Sequence, residues 1–186
     1  MSVKELFCIF ATVRKKMEGT AVPFVVNSTL EMILKDTVNQ IIESYLGSTD
    51  YYLVDLKISS DNRMQIEIDS FDGVSIDFCV ALSRHIESEL NRDEEDFELE
   101  VSSAGLTEPF KVLKQYEKNI GNEVEVLTTS GKKISGILSA ANSEYFSLEI
   151  EKTVKPEGAK RKMTVTESLD FNYNDIKYTK YIIRFK

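Results

Sequence analysis

The chain has 186 residues, 42% of them hydrophobic, and a formal net charge of −8. That length holds one large domain or two small ones with ordinary apolar cores. Its two cysteines, Cys8 and Cys79, give neither a disulfide framework nor a zinc spacing, and no apolar run approaches the ~18 residues of a membrane span, so a reduced, cytoplasmic protein without a membrane anchor is expected.

The charge is unevenly spread. Residues 29–108 carry 19 Asp and Glu against 5 Lys and Arg, a balance of −14, whereas residues 109–186 carry 10 against 14, a balance of +4. An acidic half suits a basic protein surface and a basic half suits phosphate, so two domains with different partners are expected. Residues 1–28, with a balance of +2, are expected to be an N-terminal extension or an overlong start with Met17 as the alternative beginning. Its apolar stretch Leu6–Val13 precedes the cluster Arg14-Lys15-Lys16, the reverse of the order in a secretory signal.

Along the acidic half, Leu30, Ile33, Leu34, Ile41, Ile42 and Tyr45 recur at helical spacing, and Gly47 supplies a stop. Residues 51–59 alternate as a strand, Ser60-Asp61-Asn62-Arg63 is turn chemistry, and Met64, Ile66 and Ile68 alternate as the second arm of a hairpin. Asp69 to Gly73 reads as a loop. Ser75 sits where a helix N-cap belongs, with Asp77 in the first turn. Ile76, Cys79, Val80, Ser83, Ile86 and Leu90 then follow helically. A charged loop, Asn91 to Asp96, leads to a strand from Phe97 to Val101. The order helix, strand, strand, helix, strand is that of an α+β layer, with two helices over three strands.

The strand at Val101 is expected to stop at the turn formers Ser102, Ser103 and Gly105, where glycine can take a positive φ, followed by Leu106 and Pro109. Beyond Pro109 the pattern changes. Val112, Leu113 and Tyr116 suggest a short helix up to Gly121. Val124 and Val126, the Ser130-Gly131 turn, Ile134 to Leu138, then Phe146, Leu148 and Ile150, and finally Tyr178 to Phe185 read as short strands. Such strands predict a small antiparallel barrel, with Gly136 at a sharp bend. Thr153 to Ser168 reads as a basic surface loop.

Little catalytic chemistry is visible. His85 is the only histidine, on a helix with an apolar face. No nucleophile elbow, Walker loop or dinucleotide fingerprint occurs. Asp69, Asp72 and Asp77 fail as an EF-hand, because loop positions 3, 5 and 12 fall on Phe71, Gly73 and Val80. Glu94 and Glu95 lie in a charge run. No metal, cofactor or small-molecule substrate is expected. The three aspartates read as solvated or partner-facing. Lys132 and Lys133 after the Ser130-Gly131 turn, and Lys160, Arg161 and Lys162 in the long loop, are candidate phosphate contacts. Tyr145, opposite in phase to Phe146, is a candidate for base stacking.

Val101-Ser102-Ser103-Ala104-Gly105-Leu106 followed by Pro109 resembles the V-S-S-P-G-L-x-x-P run of the bacterial ribosome maturation factor RimP family. The resemblance extends through Tyr52-Leu53-Val54-Asp55, Ile66-Glu67-Ile68-Asp69, Gly73-Val74-Ser75-Ile76-Asp77 and Leu82-Ser83-Arg84. It continues at Val124-Glu125-Val126, Gly131, Gly136 and Tyr173-Asn174-Asp175-Ile176. It implies an acidic α/β domain over 29–108, then an SH3-like or Sm-like barrel over 109–186. It implies a monomeric, non-enzymatic factor for maturation of the small (30S) ribosomal subunit. Such a factor binds free or immature subunits through a basic ribosomal protein and ribosomal RNA. On this reading Asp69, Asp72 and Asp77 face the ribosomal protein, and the five basic residues face RNA. The family's turn proline is Ala104 here, and its Asp-Arg pair is Thr107-Glu108, which reverses a charge. A general Sm-like RNA-binding module is the alternative, and an uncharacterised enzyme would need a convergent pocket that the sequence does not show.

Overall fold

The computed structural model describes residues 24–59, 61–90, 97–154 and 163–184. The chain divides into two compact units between Ala104 and Gly105. The architecture is mixed α and β, with two separate sheets.

In the first unit, helix α1 spans Phe24–Leu46 and so begins before Leu30, inside the segment expected as an extension. Val38, Ile41, Ile42 and Leu46 are its buried face. The helix ends as Gly47 N–H donates to Glu43 O and the Thr49 hydroxyl donates to Leu46 O, which satisfies terminal carbonyls. Strands β1 (Tyr51–Ile58) and β2 (Arg63–Ser70) form the antiparallel hairpin, turning through Asn62 at φ 58°. Asparagine tolerates that left-handed conformation better than most residues. Helix α2 (Ile76–Glu89) follows, capped by the Ser75 hydroxyl, which accepts from Phe78 N–H at 3.2 Å. Strand β3 (Glu98–Ser103) then lies parallel to β2. Parallel neighbours cannot be joined by a tight turn, and α2 is the crossover that this pairing requires. The order is β1-β2-β3, so β2 is central. That position explains why Met64, Ile66 and Ile68 are almost wholly buried, against Val38, Ile42, Leu82 and Ile86. Outside, Arg63 pairs with Glu98 at 2.8 Å across the parallel register.

The helical stripe of α2 differs from the expected one. Phe78, Leu82, Ile86 and Leu90, spaced by four, face the core. Ile76 and Val80 lie about 160° around the helix from Phe78 and are exposed. His85 is half-buried and stacks on Tyr45, with ring centroids 4.6 Å apart.

In the second unit, helix α3 (Leu113–Lys118) starts without a capping hydroxyl. The buried Gln115 substitutes, its Oε1 accepting from Lys111 N–H at 2.7 Å. Five antiparallel strands follow: β4 (Glu123–Thr128), β5 (Lys133–Ala141), β6 (Tyr145–Val154), β7 (Met163–Asn172) and β8 (Ile176–Tyr181). Their order is β7-β6-β5-β4-β8. Val124, Val126, Leu138, Phe146 and Leu148 form the core with Tyr116.

The expected closed barrel is not formed among the described residues, because β7 and β8 stand at opposite edges of the sheet with no ladder between them. The sheet is nevertheless rolled. Only the 3-10 turn Tyr173–Asp175 separates β7 from β8. Four links reach at most ~14 Å, whereas the edges of five flat strands stand ~19 Å apart. Gly136 makes a tight packing contact in this sheet. A Cβ there would stand 2.6 Å from Glu149 O and 2.8 Å from Ile150 Cγ2, so β6 passes directly over it.

Of the expected loop from Thr153 to Ser168, residues 153–154 and 163–168 are strand, and residues 155–162 lie outside the described residues. The β6–β7 ladder runs from Tyr145↔Asn172 to Val154↔Met163. The polar run Thr164 to Ser168 disguises strand β7, whose β-branched residues suit a ladder.

Candidate functional site

The sequence singles out three groups of residues, and the structure places them differently from one another. In the first unit, Asp69 belongs to strand β2 and not to a loop. Its carboxylate accepts from Tyr52 hydroxyl at 3.2 Å and from Ser70 N–H at 2.8 Å, so it is built into the end of the sheet. Asp72, in the turn after β2, and Asp77, in the first turn of α2, are exposed.

Between and beside these two lie apolar residues that charge and periodicity did not mark as a surface. Phe71 is 53% exposed, Ile76 82% and Val80 42%, and in the first unit they are the exposed large hydrophobics among the described residues. Ile76 and Val80 are one helical turn apart and therefore share a face. Phe71 stands apart from them, its ring edge-on to Tyr52 with centroids 6.2 Å apart, so the exposed apolar pair that shares a face is Ile76 and Val80. The available signal was the spacing of four from Phe78 to Leu90, which leaves Ile76 and Val80 on the opposite side.

The serine motif is also placed differently. Ser102 and Ser103 are not turn residues; both belong to β3 and pair with Glu67 and Ile68. The parallel register carries the strand two residues beyond Val101, and Ala104 N–H donates to Ile68 O beyond it. The turn begins at Gly105, whose carbonyl accepts from Glu108 N–H at 3.1 Å. Gly105 has no positive φ; a Cβ there would meet Glu108 Cγ at 2.9 Å. Leu106 is 69% exposed and Pro109 half-buried.

In the second unit, Gly131 at φ +85° makes the expected hairpin turn. Lys132 is exposed at its tip. Lys133 is not equivalent, for its ammonium donates to Glu125 Oε1 at 3.1 Å. Tyr178 hydroxyl donates to the same oxygen at 2.8 Å. The Tyr178 hydrogen bond, then that of Lys133, holds the Glu125 carboxyl below the usual carboxylate range. The bond to Glu125 raises Lys133 in turn. Half of the charge expected at this tip is thus already neutralised. Lys160, Arg161 and Lys162 lie outside the described residues. Tyr145 opens β6 and is 39% exposed.

Among the described residues, no group of three His, Cys, Asp or Glu could hold a metal ion. No helix there is long and apolar enough to cross a membrane.

Comparison with known proteins agrees with the Ser-Ser signature. Residues 41–107 match the RimP N-terminal domain. The chain is 47% identical over 152 residues to the ribosome maturation factor RimP of Porphyromonas gingivalis, an alignment covering 82% of this chain and 100% of the relative. It is 38% identical over 154 residues to that of Christiangramia forsetii, covering 82% and 100%. For the protein of Flavobacterium psychrophilum the identity is 32% over 155 residues, covering 83% and 100%. The chain therefore belongs to the ribosome maturation factor RimP family.

Proposed function

We propose that this chain is a cytoplasmic, non-catalytic assembly factor for the small (30S) ribosomal subunit. It binds free or immature subunits as a monomer, the first unit holding a basic ribosomal protein and the second touching ribosomal RNA. The second unit serves as an SH3-like module, its rolled sheet supplying a rigid base for exposed turns. No cofactor or small-molecule substrate enters this activity.

Beyond family membership, one observation carries the reading. Ile76 and Val80 are exposed on one face of α2 with the Asp77 carboxylate beside Ile76 in sequence, within residues 29–108, whose balance is −14. Apolar anchors give a partner somewhere to bury surface, and the surrounding charge orients and speeds the docking of a basic one.

Co-sedimentation with isolated small subunits, large subunits and joined ribosomes, at low and moderate salt, tests the reading. Selective binding to small subunits is expected. Equal binding to all three, lost with salt, would reduce the chain to a general RNA-binding module. Ile76→Ser tests the surface itself. Ile76 is 82% exposed, so the substitution should leave stability within about 0.5 kcal/mol. It should still weaken capture of the basic ribosomal protein by about tenfold, the ~1.4 kcal/mol of an anchor residue. Undiminished capture by both Ile76→Ser and the pair Asp72→Lys with Asp77→Lys would remove the protein-facing role from this surface.

A further inference from the structure

The second unit contains a cleft of about 360 Å³ that none of the charged candidates line. It opens where the β5–β6 turn meets the 3-10 turn between β7 and β8. Phe110, Tyr116, Tyr173 and Tyr178 contribute aromatic walls, Asn142 lies at one side, and Lys111 and Lys177 line it as well. Both lysines are exposed residues. The volume falls in the lower part of the ~300–1,000 Å³ range of small-ligand sites.

Three features select the ligand chemistry. First, the walls combine flat apolar rings, held rigidly by T-shaped contacts of Tyr116 with Phe110 and with Tyr173, at centroid distances of 5.1 and 5.2 Å. Such walls suit another flat π-system. Second, Asn142 is fixed with one end committed. Its Oδ1 accepts from Glu144 N–H at 2.8 Å and Tyr145 N–H at 2.9 Å, which leaves the Nδ2 group as a preset donor. A donor of that kind suits the carbonyl or ring nitrogen of a base edge. Third, the charged residues that line the cleft are lysines, in a half of the chain whose balance is +4. Lysines suit phosphate and disfavour a basic proline-rich peptide, the other common guest of an aromatic groove.

We propose that this cleft holds one unstacked nucleotide of single-stranded RNA, with the base between the aromatic walls, its edge at Asn142 Nδ2, and its flanking phosphates at Lys111 and Lys177. The proposal rests on the reading of the second unit as the RNA-facing half. It moves the RNA contact from the Lys132–Lys133 tip to the far end of β5, where lysines and aromatic walls line one cleft. Stacking on aromatic side chains tolerates many sequences, as an assembly factor meeting partly folded RNA requires.

The test is fluorescence anisotropy of the full chain with short labelled oligouridylate and oligoadenylate, at several salt concentrations. Asn142→Asp keeps an oxygen for the two backbone N–H groups but replaces the donor with a carboxylate, so it should fold normally. It is expected to weaken binding about tenfold or more, because the base edge loses its donor and meets a carboxylate instead. Lys111→Gln with Lys177→Gln, both at exposed positions, should lower the salt slope by about 0.7 for each phosphate no longer engaged. Failure of the native chain to bind either oligonucleotide, or native affinity in a stably folded Asn142→Asp, would overturn the proposal. So would capture of a proline-rich peptide in place of RNA. The two readings fail separately. Native oligonucleotide binding without small-subunit selectivity removes the assembly-factor reading and leaves the cleft. Native subunit selectivity with an indifferent Asn142→Asp removes the cleft and leaves the assembly factor.

Discussion

Tyr173 donates its phenolic hydrogen to the carbonyl oxygen of Asn142 at 2.7 Å, across 31 residues of chain. This single bond ties the turn before β8 to the turn between β5 and β6, and so holds the rolled sheet at a point where no ladder does. The ring packs on Tyr116 and Phe146 while its hydroxyl finds a backbone partner, the arrangement a partly buried tyrosine needs.

Tyr173→Phe should therefore keep the packing and lose the tie, costing about 1 kcal/mol. Thermal unfolding of the pair measures it; an unchanged midpoint would show that the bond contributes nothing net. The same tyrosine gives a pH dependence. Burial first, then the neighbouring Tyr116 and Glu117, pushes its phenol up to about 12 from 10.0. The folded state holds this proton more tightly than the unfolded chain does. The contribution is thus fully present below pH 10 and is lost as pH rises from about 10 toward 12. Ultraviolet titration of the phenols should show a late-ionising tyrosine that Tyr173→Phe removes.

At Gly136 the expected effect is steric. An alanine Cβ would stand 2.6 Å from Glu149 O, a backbone atom that cannot swing aside as a side chain tip would. Gly136→Ala should cost about 1–3 kcal/mol as β5 and β6 are forced apart. Denaturant unfolding checks this, and amide exchange should accelerate first in the β5–β6 ladder.

Glu125 offers an acid-side counterpart. Its carboxyl lies below the usual range because Tyr178 hydroxyl and Lys133 both donate to it. A lowered folded value gives stability that is present above the unfolded pKa and is lost as pH falls through the folded one. Tyr178→Phe removes the larger cause, so the Glu125 carboxyl should titrate closer to 4.5. Carbon-13 shifts of the carboxyl group against pH would show this; an unmoved titration would mean that the lysines Lys133 and Lys180 set the value without Tyr178.

Ser75→Ala should destabilise the first unit by about 1 kcal/mol, because Phe78 N–H loses its acceptor at the start of α2. Ser75→Asp keeps an acceptor and adds a favourable charge at the positive helix end. Thermal midpoints of the two variants should fall on opposite sides of the native one, with alanine the lower; equal midpoints would deny the cap its role.

By itself the sequence determined the local grammar of this protein. Alternation specified β1 and β2, Asn62 specified the turn between them, Gly131 the turn between β4 and β5, and Ser75 the start of α2. The Ser-Ser motif, read with its neighbours, was enough to indicate the family. Each of these signals is local, set by backbone conformation and side-chain period over a few residues. Tertiary structure decided what depended on long-range partners. The parallel pairing with β2 carried β3 through Ser102 and Ser103, and the long β6 ladder turned the polar run before Ser168 into strand. Packing of Phe78, Leu82 and Ile86 on the sheet chose which face of α2 was buried, and left Ile76 and Val80 outside. Glu125 captured Lys133, and Tyr173 met Asn142. No periodicity encodes such contacts, because they exist only once strands have paired, helices have packed and, for Tyr173 and Asn142, the sheet has rolled.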